Sequence, residues 1–346
     1  MILFIVIILL QFGLRFVDSS ASNSLTDCQA VAAKFNNTCN GVAVSSIIAT
    51  TGTNVSCSSG FTSTTCPGTM DSSTCKFQHK LCVTCSSTTT IRIRVQSNGL
   101  PRFCPNTPAP IKEQNIDFEV NFNPNVNVNS FVHNPSTSSQ LNSIVCNISN
   151  QASVPSASNY VSFSNSGSFN TLAGVSVDGV SILNVNSANN VDPFYPTGGY
   201  TSESVDACLG HPNAASNGYH YHMASGCALS PPTETIKSCK STSGCSTSIA
   251  NYAISKFSSY RTLTVIGIAK DGHVIYGPYD STGAEITKGF DICNGMFYDS
   301  IGNYAYFATR TFPYITGCFG PGNYPSFLPS CTTNKPTAYT KSAYAG

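Results

Sequence analysis

The feature that most constrains this chain is an internal repeat. A shift of 85 positions, from 206 to 291, lays Asp206, Cys208, Gly210, Tyr219 and Tyr221 on Asp291, Cys293, Gly295, Tyr304 and Tyr306 without a gap. Each copy follows a run built around Asp-Gly, Val175-Ser-Val-Asp178-Gly179-Val-Ser-Ile182 in one and Ile268-Ala-Lys-Asp271-Gly272-His-Val-Ile275 in the other. Each closes on a Gly-Cys pair, Gly226-Cys227 and Gly317-Cys318. This pattern marks a duplicated supersecondary unit, spanning about 174–227 and 265–318. Asp-Gly between apolar runs is a hairpin signal, and the alternation of Ile116-Asp-Phe-Glu-Val-Asn-Phe122 is that of a half-buried strand. Further short strands are expected at 160–163, 263–268 and 304–309, and a helix over 246–256. The expected fold is therefore mostly β, an antiparallel sandwich or distorted barrel built from two related units. A small disulfide-rich β module precedes it.

The two copies differ at three positions together. His211, His220 and His222 of the first copy correspond to Met296, Ala305 and Phe307 of the second, and the whole chain has only six histidines. In an extended segment His220 and His222 share one face while Tyr219 and Tyr221 share the other. His211, between Gly210 and Pro212, is expected on a loop that folds back as a third ligand. Three imidazoles with one open position describe catalytic zinc sites, and copper takes such ligands too. Asp206 and Glu203 are candidates to orient a ligating imidazole through its other nitrogen. Because Asp206 recurs as Asp291, a turn or cap role competes for it. His273 stands where the first copy has Val180, and His79 and His133 lie in other contexts; none is expected to be a ligand.

The tetrapeptide Tyr219-His-Tyr-His222 is accompanied by Asp206-Ala-Cys208-Leu-Gly210-His211-Pro212, Ile275-Tyr-Gly-Pro278, Asp291-Ile-Cys293-Asn-Gly295 and Phe312-Pro-Tyr314 before Gly317-Cys318-Phe319. In this order the segment from about Val175 to Gly320 resembles the YHYH-domain family. The resemblance implies an exported, cysteine-bearing, β-rich domain and no established activity. The second copy, Tyr304-Ala-Tyr-Phe307, departs from the motif.

Residues 2–14 form an apolar run too short to span a bilayer, and they fit a signal peptide over 1–20. No membrane span is expected after its cleavage. Sixteen cysteines are an even set suited to an oxidising compartment, and secretion or cell-surface display is the expected localisation. By repeat symmetry Cys208 pairs with Cys227 and Cys293 with Cys318, or the partners exchange between halves. Cys239 and Cys245 lie in an insert, 231–245, expected as a surface loop. Cys82-Val-Thr-Cys85 is read as part of the disulfide frame. Asn36, Asn54 and Asn147 head glycosylation sequons. With 17 basic and 16 acidic residues and no Lys/Arg cluster, nucleic acid is an unsuitable partner.

The expected organisation is a cysteine-rich module over 21–104, a Pro-rich linker over 105–115 and the YHYH-like domain over 116–346. Copper or zinc binding through His211, His220 and His222 is the leading function. Two alternatives stand beside it. One is a metal-dependent hydrolase or oxidase, which requires an open coordination position in a cleft. The other is a structural or adhesive surface protein with packing histidines, whose N-terminal module meets a cell-surface or extracellular-matrix partner.

Overall fold

The computed structural model describes residues 22–48, 53–56, 76–107, 111–124, 172–183, 187, 191–196, 198–212, 218–233, 236–287, 289–290, 293–299, 303–317 and 319. The expected signal peptide, the strand at 160–163, His133, Asp291, Cys318 and Asn147 lie outside them, as does the side chain of Asn54.

Helix α1 (Leu25–Ala32) starts on a capping box in which Ser24 and Asp27 each bond the other's backbone. Strands β1 (Thr53–Ser56) and β2 (Lys76–His79) pair with each other. Strands β3 (Leu81–Ser87), β4 (Ile91–Ser97) and β5 (Ile116–Asn121) form a three-stranded antiparallel sheet. The first repeat unit supplies β6 (Leu172–Ser176), β7 (Ser181–Leu183), β8 (Gly210–Pro212) and β9 (Tyr219–Tyr221). After α2 (Ile249–Ser255), the second supplies β10 (Val265–Ala269), β11 (Val274–Tyr276), β12 (Gly295–Phe297) and β13 (Tyr304–Phe307).

These eight strands form one sheet in the order β12-β13-β11-β10-β6-β7-β9-β8. Read outward from the central β6–β10 pair, both units have the same order, so the repeat in sequence is a repeat in topology. The two Asp-Gly pairs make the inner hairpins. Gly179 and Gly272 sit at φ 83° and 94°, a region open to glycine without steric cost.

Two expectations about the sheet are corrected. It is mixed rather than antiparallel, because β7 pairs with β9 and β11 with β13 in parallel. The chain leaves β7, lays β8 at the edge, and returns through β9, which then runs alongside β7 in the same direction. The barrel alternative also falls, since the sheet ends on two separate edge strands, β8 and β12.

The three-stranded sheet packs on the middle of the large one. Leu81, Val83, Ile93, Val95, Ile116 and Phe122 share a buried cluster with Val175, Val177, Ile268 and Val274. Strand β5, placed by the sequence at the head of the second domain, instead extends the N-terminal module, with Val95 opposite Phe118. Its alternation signals a one-sided strand and carries no information about its partner. The described residues of 105–115 also pack against the large sheet. Ile111 is fully buried with Leu100, Phe103, Val180, Tyr219 and Tyr221. Gln114 donates to the Tyr219 carbonyl at 3.2 Å and accepts from the Ser181 hydroxyl at 3.0 Å.

Every described cysteine is disulfide-bonded. Cys28–Cys85 and Cys39–Cys82 divide the close Cys-x-x-Cys pair between two partners. Cys208 joins Cys227, closing a loop of 19 residues and contributing about 3 kcal/mol by chain entropy. Cys239 joins Cys245. Both are fully buried in the main core with Phe194, Ile249 and Tyr306, while Lys237, Lys240, Ser241 and Ser243 are exposed, so the insert lies on the surface as expected and is anchored inward by its disulfide. Asn36 is tied to the large sheet: its amide nitrogen donates to the Val177 carbonyl and its oxygen accepts from Arg102. Among the described residues no helix is long and apolar enough to cross a membrane.

Candidate metal centre

The repeated skeleton holds the strands that carry the histidines. In both units a tyrosine of the outer strand bonds the aspartate of the inner turn: Tyr221 to Asp178 at 3.1 Å and Tyr306 to Asp271 at 2.5 Å. Burial pushes the Asp178 carboxyl up, while the Ser176 and Tyr221 hydroxyls that it accepts pull it down. Gly210 and Gly295 face the rings of Tyr219 and Tyr304 so closely that a methyl group on either would overlap the phenol. Leu209 and Asn294, one residue earlier, both have φ 67°, so the sharp entry into the edge strand also recurs.

Of the two roles open to Asp206, orienting an imidazole or capping a turn, it takes the second. It is fully buried and accepts the Tyr219 hydroxyl at 2.9 Å and the N–H groups of Cys208, Gly210 and Asn106. Its role is to fix the turn before His211 and the ring beside His220. Burial raises its carboxyl to about 7 against the pull of these donors. A carboxyl raised in the folded state from its ordinary value of 3.8 contributes most stability below that value and loses it as pH climbs through about 7. Asp206→Asn should therefore show a flatter dependence of unfolding free energy between about pH 4 and 7 than the unaltered protein. Urea titrations across that range measure it, and parallel curves would remove Asp206 as the responsible group.

On the opposite face of β9 the histidines converge. His211 lies not on a loop but on β8, directly across from His220. Their ring centroids are 4.4 Å apart, and His220 and His222 are 4.8 Å apart. One ligand atom from each of the three lies within 4.8 Å of the others. The Nε2 atoms of His220 and His222 are separated by 3.1 Å. His220 Nδ1 is 3.0 Å from the Gly218 carbonyl. A carbonyl oxygen accepts and cannot donate, so Nδ1 carries the proton and Nε2 presents its lone pair, the usual outer-shell arrangement of a metal-ligating imidazole.

Glu203, a candidate to orient a ligand from behind, has its carboxylate beside the ligand atoms instead. Oε2 is 3.0 Å from His211 Nε2 and 3.4 Å from His222 Nε2. Donor atoms about 2.0–2.1 Å from one tetrahedral ion stand about 3.3 Å from each other. Three separations, 3.0, 3.1 and 3.4 Å, are close to the edges of such a shell, while the ligand atoms of the three histidines spread over up to 4.8 Å, so the set would draw together around an ion. Burial pushes His211 down to about 4 and His220 well below its ordinary value, so both are neutral at pH 7, the form that binds metal. Exposure of 20% at the Glu203 side chain and 15% at His211, against 5% at His222, places the open side of the cluster at this pair.

The loop before Glu203 is also built in. Its backbone N–H donates to the Pro193 carbonyl at 2.7 Å, and the Phe194 ring stands edge-on to His222 at 6.5 Å. No regular spacing links 192–194 to the histidines, so the sequence offered no signal for this contact. The remaining described histidines lie elsewhere. His273 is buried with Nδ1 3.2 Å from the Asn123 side-chain oxygen, and His79 Nδ1 is 2.7 Å from the Leu100 carbonyl. Asp280 closes a local turn through Thr282 and Ala284. A groove of about 500 Å³ lined by Lys237, Tyr252, Lys256 and Tyr260 runs past the Cys208–Cys227 disulfide and includes none of the three histidines.

Residues 151–290, which hold Glu203 and all three histidines, match the family model described as YHYH protein. The match ends ahead of the second unit's Tyr304–Phe307 strand, so the family pattern covers the histidine-bearing copy and the first hairpin of the other. No curated protein and no solved structure matches the chain.

Proposed function

We propose that the YHYH domain holds one late first-row divalent ion, zinc or copper, through His211, His220, His222 and Glu203, in a protein exported to an oxidising compartment. The observation that carries this reading is the convergence of three imidazoles, whose ligand atoms lie within 4.8 Å of one another, with the Glu203 carboxylate 3.0 and 3.4 Å from two of them. A pure packing role fits these groups poorly. Burying several polar groups against one another is costly unless each is compensated, and one cation compensates all four at once. Imidazole suits zinc and copper alike, and a single carboxylate oxygen completes an N3O set for either. The disulfides support the oxidising compartment, since such bonds persist outside the cytosol.

Elemental analysis of protein purified without an affinity tag tests the reading. About one zinc or copper per chain is expected, removable by chelator and restored by titration of either ion into the stripped protein. Metal-free protein that also fails to bind either ion at micromolar concentration would overturn it.

A further inference from the structure

The second unit lacks all three histidines, yet one of its tyrosines reaches the support of the first unit's site. Ten positions separate Phe307 from Gly317, where only four separate His222 from Gly226. The longer segment carries Tyr314, which is 1% exposed and sits at φ 64°. Its hydroxyl donates to Asp192, 2.9 Å from Oδ2 and 3.1 Å from Oδ1. Asp192 is fully buried and also accepts the N–H groups of Phe194 and Tyr195 at 2.8 and 3.0 Å. The loop so pinned touches two members of the site: the Pro193 carbonyl holds the Glu203 N–H, and the Phe194 ring lies between Tyr314, at 5.6 Å, and His222, at 6.5 Å.

We infer that Tyr314 is a positioning residue for the metal site, acting through Asp192 and the 192–194 turn on Glu203 and His222. The inference rests on the metal reading proposed above and adds a division of labour to it. One copy of the duplicated unit supplies the ligands, while the other, free of ligands, supplies a buried clamp. A carboxylate on a loop has far more freedom than an imidazole on a strand, so Glu203 is the donor that most needs such a clamp. Removing outer-shell partners of this kind typically weakens metal binding about 10–100-fold.

The test uses Co²⁺ as a spectroscopic probe on the full chain. Tyr314→Phe keeps the ring against Phe194 and removes only the hydroxyl. It should weaken Co²⁺ binding about 10–100-fold and alter the visible ligand-field bands, as a displaced carboxylate donor would. Tyr306→Phe deletes the comparable buried hydroxyl on Asp271. It should lower the unfolding midpoint while leaving the Co²⁺ spectrum unchanged. In a Glu203→Gln background the Tyr314→Phe effect should shrink, because the two act on one donor. Should Tyr314→Phe fail to fold, Asp192→Asn reports on the same link. Unchanged affinity and bands in Tyr314→Phe would overturn the positioning role alone, whereas failure of the unaltered protein to bind Co²⁺, Zn²⁺ or Cu²⁺ would overturn the metal reading together with it.

Discussion

Protein carrying His220→Ala together with His222→Phe is expected to lose stoichiometric metal. The choice of residues follows from the repeat, in which Ala305 and Phe307 occupy the corresponding positions of the second unit. Both are buried there, Phe307 fully, so the scaffold already accommodates these side chains on this face of the strand. That makes the double variant a gentler test than deleting two large buried rings to alanine, which would leave a cavity as well as removing ligands. A structural site with four donors is worth about 10–16 kcal/mol, and half of that set corresponds to a loss of more than about 1,000-fold in affinity. Competition against a chelator of known affinity measures the change. Retention of the unaltered protein's metal content by the double variant would show that these rings do not hold the ion.

The second large effect is on folding. Gly210→Ala and Gly295→Ala should each destabilise the protein by about 3 kcal/mol, because the added methyl would overlap a tyrosine ring that is itself fully buried. Neither ring has space to withdraw. Tyr219 is held by Asp206 and packed edge-on to Phe103, while Tyr304 lies against Phe297 and Tyr306. The two substitutions should cost similar amounts, since the two sites are copies of one design. Only Gly210→Ala should also weaken metal binding, because it displaces the strand that carries His211. Urea unfolding gives the first quantity and metal titration the second; a change under about 0.5 kcal/mol at either glycine would contradict the packing described here.

How far the sequence reached can be judged at particular residues. Its doubling was legible because the aspartates, glycines and tyrosines of the skeleton recur at fixed spacing, and the pairs Tyr221–Asp178 and Tyr306–Asp271, like Gly210–Tyr219 and Gly295–Tyr304, do the same local work in both copies. The pairing of His220 with His222 was legible because strand alternation is a property of two or three adjacent residues. Glu203 was noticed, but in the wrong place. It lies on a loop, where no period constrains its direction, and its position depends on Pro193, Asp192 and a tyrosine more than a hundred positions away. The 105–115 segment looked like a linker because prolines exclude regular structure. Proline says nothing about burial, and Ile111 proved to be part of the core.

By itself, then, the sequence determined the duplicated β unit, the two Asp-Gly hairpins, the disulfide-rich character and the face that His220 and His222 share, all of which follow from local backbone preference and short-range spacing. The tertiary structure alone decided that β7 and β9 run parallel, that β5 joins the N-terminal sheet, that His211 stands opposite His220, and that Glu203 lies beside His211 and His222. Those facts depend on contacts between segments far apart in the chain. Strand pairing and side-chain packing over such separations are chosen by the whole core at once, and no window of neighbouring residues encodes them.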